Sequence, residues 1–127
     1  MEIKTNPIVV EKYNFETNVT EQTSGENQIN VQLNEVEPVG DDKSILEAGK
    51  MFKIDVPFIL TLDRFKIDGH ISRIIQIVDF FGAAEELEKH LMAELSAPLV
   101  DYIKRLTYEV TEIAFDEPGF QLKFESN

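Results

Sequence analysis

The chain has 127 residues, of which 24 are acidic and 12 are basic, so its formal net charge is −12. This excess of negative charge excludes nucleic acid and anionic membrane surfaces as its main ligands, because binding phosphate requires Lys and Arg. The absence of cysteine excludes disulfides, thiolate zinc sites and cysteine nucleophiles. A chain of this length buries about two-thirds of the surface of its unfolded form. We therefore expect one acidic domain over residues 1–127.

The N-terminal segment lacks the basic region and apolar run of a signal peptide. The longest apolar-rich stretch, residues 71–81, is interrupted by Arg73, Gln76 and Asp79, so it is too polar to insert into a membrane. These features predict a cytoplasmic protein with no membrane insertion.

The first half of the chain predicts β-strands. Residues 7–15 are rich in β-branched and aromatic residues, which favour strands. Residues 28–33 alternate between polar and apolar side chains, with Ile29, Val31 and Leu33 on one face. This alternation is typical of an antiparallel strand that is buried on one face.

Two polar stretches, residues 17–27 and 38–50, carry the turn-forming residues that are typical of loops. In the second stretch, Ser44 and Gly49 have the positions and residue types that begin and end one helical turn.

The strongest strand pattern runs from Phe52 to Leu62, where all but one of the apolar side chains lie at even positions and Pro57 at an odd one. A two-residue turn after it would form a hairpin with the next strand, and a wider loop is the alternative. The two-residue turn predicts apolar pairs along one face: Leu62–Phe65, Leu60–Ile67, Phe58–Gly69 and Val56–Ile71. In this register Pro57, which has no N–H, weakens pairing only on the far side of its strand.

From Ile74 onward the second strand of the hairpin is apolar on both faces, which implies a cover on its second face. A loop, the C-terminal segment or another subunit could supply it.

Apolar residues then recur at helical spacing in two stripes. The first stripe is Ala84, Leu87, Leu91 and Leu95, and the second is Leu99, Ile103, Leu106, Val110 and Ile113. Pro98 lies between them, so the pattern predicts either two helices that meet near residues 96–97 or one helix kinked at Pro98. A turn at residues 116–119 precedes a short extended segment. Strands followed by helices predict an α+β fold, a four-stranded antiparallel sheet followed by one or two long helices packed on one face.

The chain contains two histidines and no phosphate-binding or hydrolase motif. Glu86, His90 and Glu94 recur at every fourth residue and could share a metal, but a solvated helix face explains them more simply. His70, opposite Pro57, could act in acid–base catalysis with Asp68 as its carboxylate partner; a partly exposed sheet histidine is the simpler interpretation. We therefore expect no enzyme, no catalytic residue, no metal and no cofactor, and keep an enzyme or metal protein that uses His70 or His90 as an alternative.

Phenylalanines are concentrated late in the chain, at positions 80, 81, 115, 120 and 124. Core packing explains most of them, but a domain of this size has limited room to hide them all. Those left exposed would mark a binding surface.

The order of these elements, with residues 76–82 as a junction, 97–103 as a Pro-containing helix and 119–124 as the terminal segment, resembles SecB, the bacterial export chaperone. More closely, residues 7–125 resemble an uncharacterised SecB-like family of Gram-positive bacteria. The resemblance implies a SecB-like fold and assembly into a homodimer or homotetramer.

The resemblance also implies a non-enzymatic function, the binding of unfolded or extended polypeptide in apolar grooves. The candidate polypeptide-binding residues that it implies are Phe80, Phe81, Phe120, Leu122 and Phe124. The alternative is an adaptor with one specific, basic, folded protein partner and no general chaperone activity.

Overall fold

The computed structural model describes residues 2–17, 27–38, 40 and 44–123. Its strands are β1 (Ile3–Thr5), β2 (Val9–Thr17), β3 (Gln28–Ile29), β4 (Gln32–Val36), β5 (Met51–Thr61) and β6 (Phe65–Ile77). Two short 3-10 helices span Ser44–Ala48 and Ala84–Glu86, and one long helix, α1, spans Lys89–Phe115. The predicted α+β class is confirmed.

The six strands form one antiparallel sheet with β5 and β6 at its centre. β1 and β2 both pair with β6, and β3 and β4 both pair with β5. The sheet is therefore four strands wide, but it contains more strands than the four predicted because each outer strand is divided in two. Pro7, which has no N–H, lies in the gap between β1 and β2.

The gap between β3 and β4 lies opposite Pro57, where the sequence predicts weak pairing. Asn30 N donates a hydrogen bond to Pro57 O at 3.0 Å, but Pro57 has no N–H to return one. The pairs Ile29–Phe58 and Gln32–Asp55 keep the same register on either side of the gap. The missing donor therefore interrupts the ladder without shifting it.

The β5–β6 hairpin has the register that the sequence predicts. Leu60 pairs with Ile67, Phe58 with Gly69 and Val56 with Ile71. Leu62 N donates to Phe65 O at 2.8 Å, so the turn between the strands has two residues and the wider loop is excluded.

The sheet packs one face against α1 and the segment before it. The buried apolar core consists of Phe52, Ile54, Val56, Phe58, Leu60, Phe65, Ile67, Ile71, Ile75, Ile77, Leu99, Ile103 and Leu122. Pro98 lies inside α1, so of the two arrangements predicted there is one helix. The helix begins at Lys89, later than the first stripe predicts, because residues 84–86 form a separate 3-10 helix.

The helix buries a stripe that differs from the predicted one. Leu99 and Ile103 are buried as expected, but Thr107 and Thr111 follow them, and Ile113 is 77% exposed. Both threonine hydroxyls are hydrogen-bonded: Tyr13 Oη lies 2.9 Å from Thr107 Oγ1, and Thr111 Oγ1 donates to Thr107 O at 2.7 Å. A hydroxyl that has a hydrogen-bond partner can be buried at a low cost in free energy. The sequence pattern does not show which threonines have such partners.

The opposite face of the sheet is covered at one end by the 3-10 helix Ser44–Ala48, the helical turn that the sequence predicts. Gln76 is buried there, and its Nε2 donates to Ile45 O at 2.7 Å and to Gly49 O at 2.9 Å. A loop therefore covers this end of β6. We call the rest of this face, which carries Lys53, Asp55 and His70, the open face, because no element among the described residues packs on it.

Candidate polypeptide-binding groove

A groove of about 1530 Å³ runs between α1, β3, the end of β5 and the segment that follows the helix. Its floor is apolar and includes Ile29, Leu60, Val100 and Leu122. Leu60 and Leu122 are each only 7% exposed, so they anchor the floor to the core. The rim carries both charges, with acidic and basic side chains at residues 94, 101, 104 and 123.

The segment after the helix forms one wall of the groove. Asp116 ends α1 in the left-handed conformation, with φ 51°, and turns the chain back along the helix. At Gly119 the backbone passes so close to α1 that a Cβ would lie 2.3 Å from Tyr108 O, so only glycine is accommodated. Phe120 N then donates to Thr111 Oγ1 at 2.8 Å. The wall is therefore fastened to the helix by contacts that begin before the groove.

The turn of the β5–β6 hairpin holds the same segment from the other side. Arg64 forms an ion pair with Glu117, and its guanidinium lies 4.1 Å from the centre of the Phe115 ring. Phe120 packs edge-to-face on Phe65 with ring centroids 5.4 Å apart. Phe120 nevertheless stays 44% exposed, so it offers an aromatic surface at the mouth of the groove.

The outer edge of the sheet reaches the groove at β3, where Gln28 and Ile29 line it. Because Asn30 N points toward β5, the N–H and C=O groups of Ile29 and Val31 point outward, away from the sheet. Among the described residues these outward groups have no backbone partner. Val31 is also 39% exposed. The edge can therefore accept the backbone of an additional strand.

The structure divides the five predicted binding residues. Phe120 and Leu122 line the groove. Phe80 packs on Phe52, with ring centroids 6.1 Å apart. Phe52 is at the opposite end of β5 from the groove, about 26 Å from Leu60 along the strand. Phe81 follows it and is 57% exposed. Phe124 lies outside the described residues, and of the other four, two line this groove.

Sequence reasoning missed the residues that complete the groove. Ile29 and Leu60 lie on the apolar faces of their predicted strands, and Val100 directly follows Leu99 of the second helical stripe. Their patterns are those of ordinary core positions. These three residues become the floor of a groove only because residues 116–123 fold back beside them.

His70 lies opposite Pro57, as the hairpin register predicts, but its expected partner is wrong. Its Nδ1 lies 3.1 Å from Asp55 Oδ1, whereas Asp68 pairs with Lys12 at 3.7 Å. Asp55 is the diagonal neighbour of His70 on the adjacent strand, close enough for a side-chain contact. The carboxylate partner of His70 is therefore Asp55 on the adjacent strand, in place of Asp68 on its own strand.

The second histidine has a single described carboxylate beside it. His90 Nε2 lies 2.9 Å from Glu94 Oε1, and the His90 side chain is 81% exposed. Glu86 lies outside α1, and its carboxylate accepts a hydrogen bond from Ala83 N at 2.9 Å. The predicted trio is therefore not on one helix face, and His90 belongs to a solvated surface.

Comparison with known proteins matches residues 1–124 to the family described as "Protein of unknown function (DUF1149)". No curated protein matches significantly. A solved structure of a protein of unknown function from Streptococcus agalactiae is 28% identical over 98% of both chains, with a TM-score of 0.81. No helix within the described ranges could serve as a membrane span.

A second solved structure is the Mycobacterium tuberculosis Rv1957 SecB-like chaperone in complex with a ChAD peptide from the Rv1956 HigA1 antitoxin. It has a TM-score of 0.58 and 10% identity, covering 98% of this chain and 88% of the other. At this identity the likeness shows the fold, which confirms the resemblance to SecB. The chain belongs to the DUF1149 family, a family of unknown function with a SecB-like fold.

Proposed function

We propose that the protein is a non-enzymatic, chaperone-like protein that binds unfolded or extended polypeptide segments in the groove between α1 and residues 120–123. The observation that carries the proposal is an apolar groove floor that includes Ile29, next to a strand edge at Ile29 and Val31 that has no backbone partner among the described residues. The mycobacterial relative, which shares the fold, was solved with a peptide bound, and this supports the same ligand class here.

The shape of the groove favours a chain over a small molecule. Its volume of about 1530 Å³ is larger than the roughly 300–1,000 Å³ of small-molecule pockets, and it is open along one side. A strand added at the β3–β4 edge would bond to the outward groups of Ile29 and Val31. Its alternate side chains would then lie on the same face as the groove floor.

This arrangement predicts the ligand's pattern. A residue opposite Ile29 would share the groove with Leu122 and Phe120, and side chains two residues apart lie on the same face, so apolar side chains at every second position suit the groove best. Each apolar side chain that is fully buried contributes about 1.5–3 kcal/mol, and two or three of them are enough for useful affinity.

The test is the binding of a labelled, permanently unfolded polypeptide, followed by fluorescence anisotropy. We expect Phe120→Ala to weaken binding about tenfold, because it removes the exposed aromatic surface at the mouth. Ile45→Ala is the matched control: Ile45 is 48% exposed but lies beside Gln76, at the far end of β6. Equal affinity of both variants and the unaltered protein would refute binding in this groove. Phe81→Ala, measured alongside, decides whether the other end of the sheet contributes.

The net charge of −12 favours the second candidate, an adaptor for one basic folded protein. That function predicts no uptake of the unfolded polypeptide. It also predicts a single partner whose affinity falls as salt rises, because screening weakens long-range attraction. The cytoplasmic location predicted above is compatible with either function.

A further inference from the structure

Three potential metal ligands lie close together on the open face of the sheet. None of them lines the groove. Glu11 comes from β2, Asp55 from β5 and His70 from β6. One carboxylate oxygen from each acid and a ring nitrogen of His70 all lie within 4.8 Å of one another. Three adjacent strands of one sheet therefore place an imidazole and two carboxylates around a common point.

The spacing of these atoms suits a tetrahedral metal ion. His70 Nδ1 lies 3.1 Å from Asp55 Oδ1 and 3.5 Å from Glu11 Oε2. Two ligand atoms bound to one tetrahedral Zn²⁺ at about 2.0 Å lie about 3.3 Å apart. Small side-chain movements would therefore bring the three atoms into a coordination shell.

A β-bulge directs Glu11 into the cluster. Val10 pairs with Ile71 and Lys12 with His70, so Glu11 is an inserted residue without a partner on β6. Such bulges change the direction of a side chain and are frequent beside functional sites.

We propose that Glu11, Asp55 and His70 form a binding site for a divalent transition metal ion such as Zn²⁺. A nitrogen ligand beside two carboxylates favours such an ion over Ca²⁺ or Mg²⁺, which prefer oxygen ligands. Three protein ligands leave a fourth position for water or for a group from a partner. The side chains are 22–36% exposed, so the ion can enter from solvent.

Lys53 provides the sharpest test, because its ammonium group already occupies part of the site. Lys53 Nζ lies 3.1 Å from Glu11 Oε2, and a metal ion must displace it. If the cluster is only a network of ion pairs, Lys53→Ala removes the ion pair with Glu11 and does not tighten metal binding. If it is a metal site, Lys53→Ala removes a competing cation and tightens metal binding several-fold.

The experiment titrates the full chain with Zn²⁺ in competition with a chromophoric chelator. We expect His70→Ala to weaken Zn²⁺ binding by at least about 100-fold and Asp55→Asn by about tenfold or more. His90→Ala is the matched control, because His90 has one described carboxylate neighbour and should leave the affinity unchanged. Circular dichroism checks that each variant is folded, and Asp55→Asn is the more conservative change.

NMR of the two histidine rings gives an independent readout in the unaltered protein. Zn²⁺ should shift the ring signals of His70 and leave those of His90 in place. Failure to bind Zn²⁺ at about 10 μM, equal binding by the unaltered protein and His70→Ala, or weaker binding by Lys53→Ala would each overturn the proposal. Because none of these residues lines the groove, the result is independent of polypeptide binding.

Discussion

At the scale of single residues, Gly69 shows why a hydrophobic strand contains a glycine at its centre. It pairs with Tyr13 on β2 and with Phe58 on β5, and the two rings meet with centroids 6.0 Å apart. The sequence predicts Phe58 opposite this glycine on one side, and the structure adds Tyr13 on the other. The β2 backbone approaches so closely that a Cβ at Gly69 would lie 2.0 Å from Lys12 O.

We therefore expect Gly69→Ala to lower the free energy of unfolding by at least about 2 kcal/mol, because β2 must move away from β6. Gly40→Ala is the control: Gly40 also has a positive φ, 108°, but a Cβ there meets nothing within 4 Å in the part of the chain that the structure describes. It should cost about 1 kcal/mol. Urea denaturation of both variants measures the difference, and equal losses would contradict a clash with the Lys12 carbonyl.

At the scale of elements, the groove wall depends on one buried threonine of α1. Thr111 Oγ1 accepts a hydrogen bond from Phe120 N and donates one to Thr107 O. Phe120 and Leu122 form part of the wall and floor of the groove. The hydroxyl therefore joins the helix to the segment that it must hold in place.

Thr111→Val keeps the shape of the side chain and removes both hydrogen bonds. We expect a loss of about 1–2 kcal/mol in the free energy of unfolding, because Phe120 N is left without its acceptor. The amide of Phe120 should also exchange with solvent faster in hydrogen-exchange measurements. Thr5→Val, at an exposed position of β1, is the control and should change neither quantity. Unchanged exchange at Phe120 would show that other contacts hold the wall.

Prediction at the element scale succeeds where neighbours in sequence are neighbours in space. The β5–β6 register follows from strict alternation and a short turn, and the ladder gap follows from Pro57. The buried face of the helix was harder to predict, because it includes the polar residues Thr107 and Thr111. Thr107 is hydrogen-bonded to Tyr13 of a distant strand and Thr111 to the helix backbone, and the apolar pattern of the sequence shows neither bond. Ile113, apolar and in phase with the predicted stripe, lies instead on the exposed flank.

At the scale of the whole molecule, that flank bears on assembly. Ile113 is the most exposed large apolar side chain among the described residues, and Val110 and Leu106, one and two turns before it, are only partly buried. Exposed apolar surface of this kind favours contact between chains. It supports the homodimer or homotetramer that we propose from the resemblance to SecB.

We expect light scattering to give a mass of two or four chains, and Ile113→Asp to shift the mass toward one chain, because it buries a charge in the contact. Ile45→Asp, with a charge added at the far end of β6, is the control and should leave the mass unchanged. If the unaltered protein is a monomer, the proposed assembly is refuted. Polypeptide binding would then depend on the groove of a single chain.

The sequence by itself determined the α+β class, the central hairpin with its register, the interrupted outer strand and the likeness to SecB. The class, the hairpin and the interrupted strand depend on periodicity and on residues whose backbone limits are intrinsic, as for Pro57 and Gly69, whereas the likeness to SecB depends on the order of the elements. Only the tertiary structure decided the groove and the cluster on the open face. The groove needs residues 116–123 to fold back on α1, and the cluster needs a bulge at Glu11 beside Asp55 and His70. Both bring together side chains from distant parts of the chain, and no local pattern records that contact.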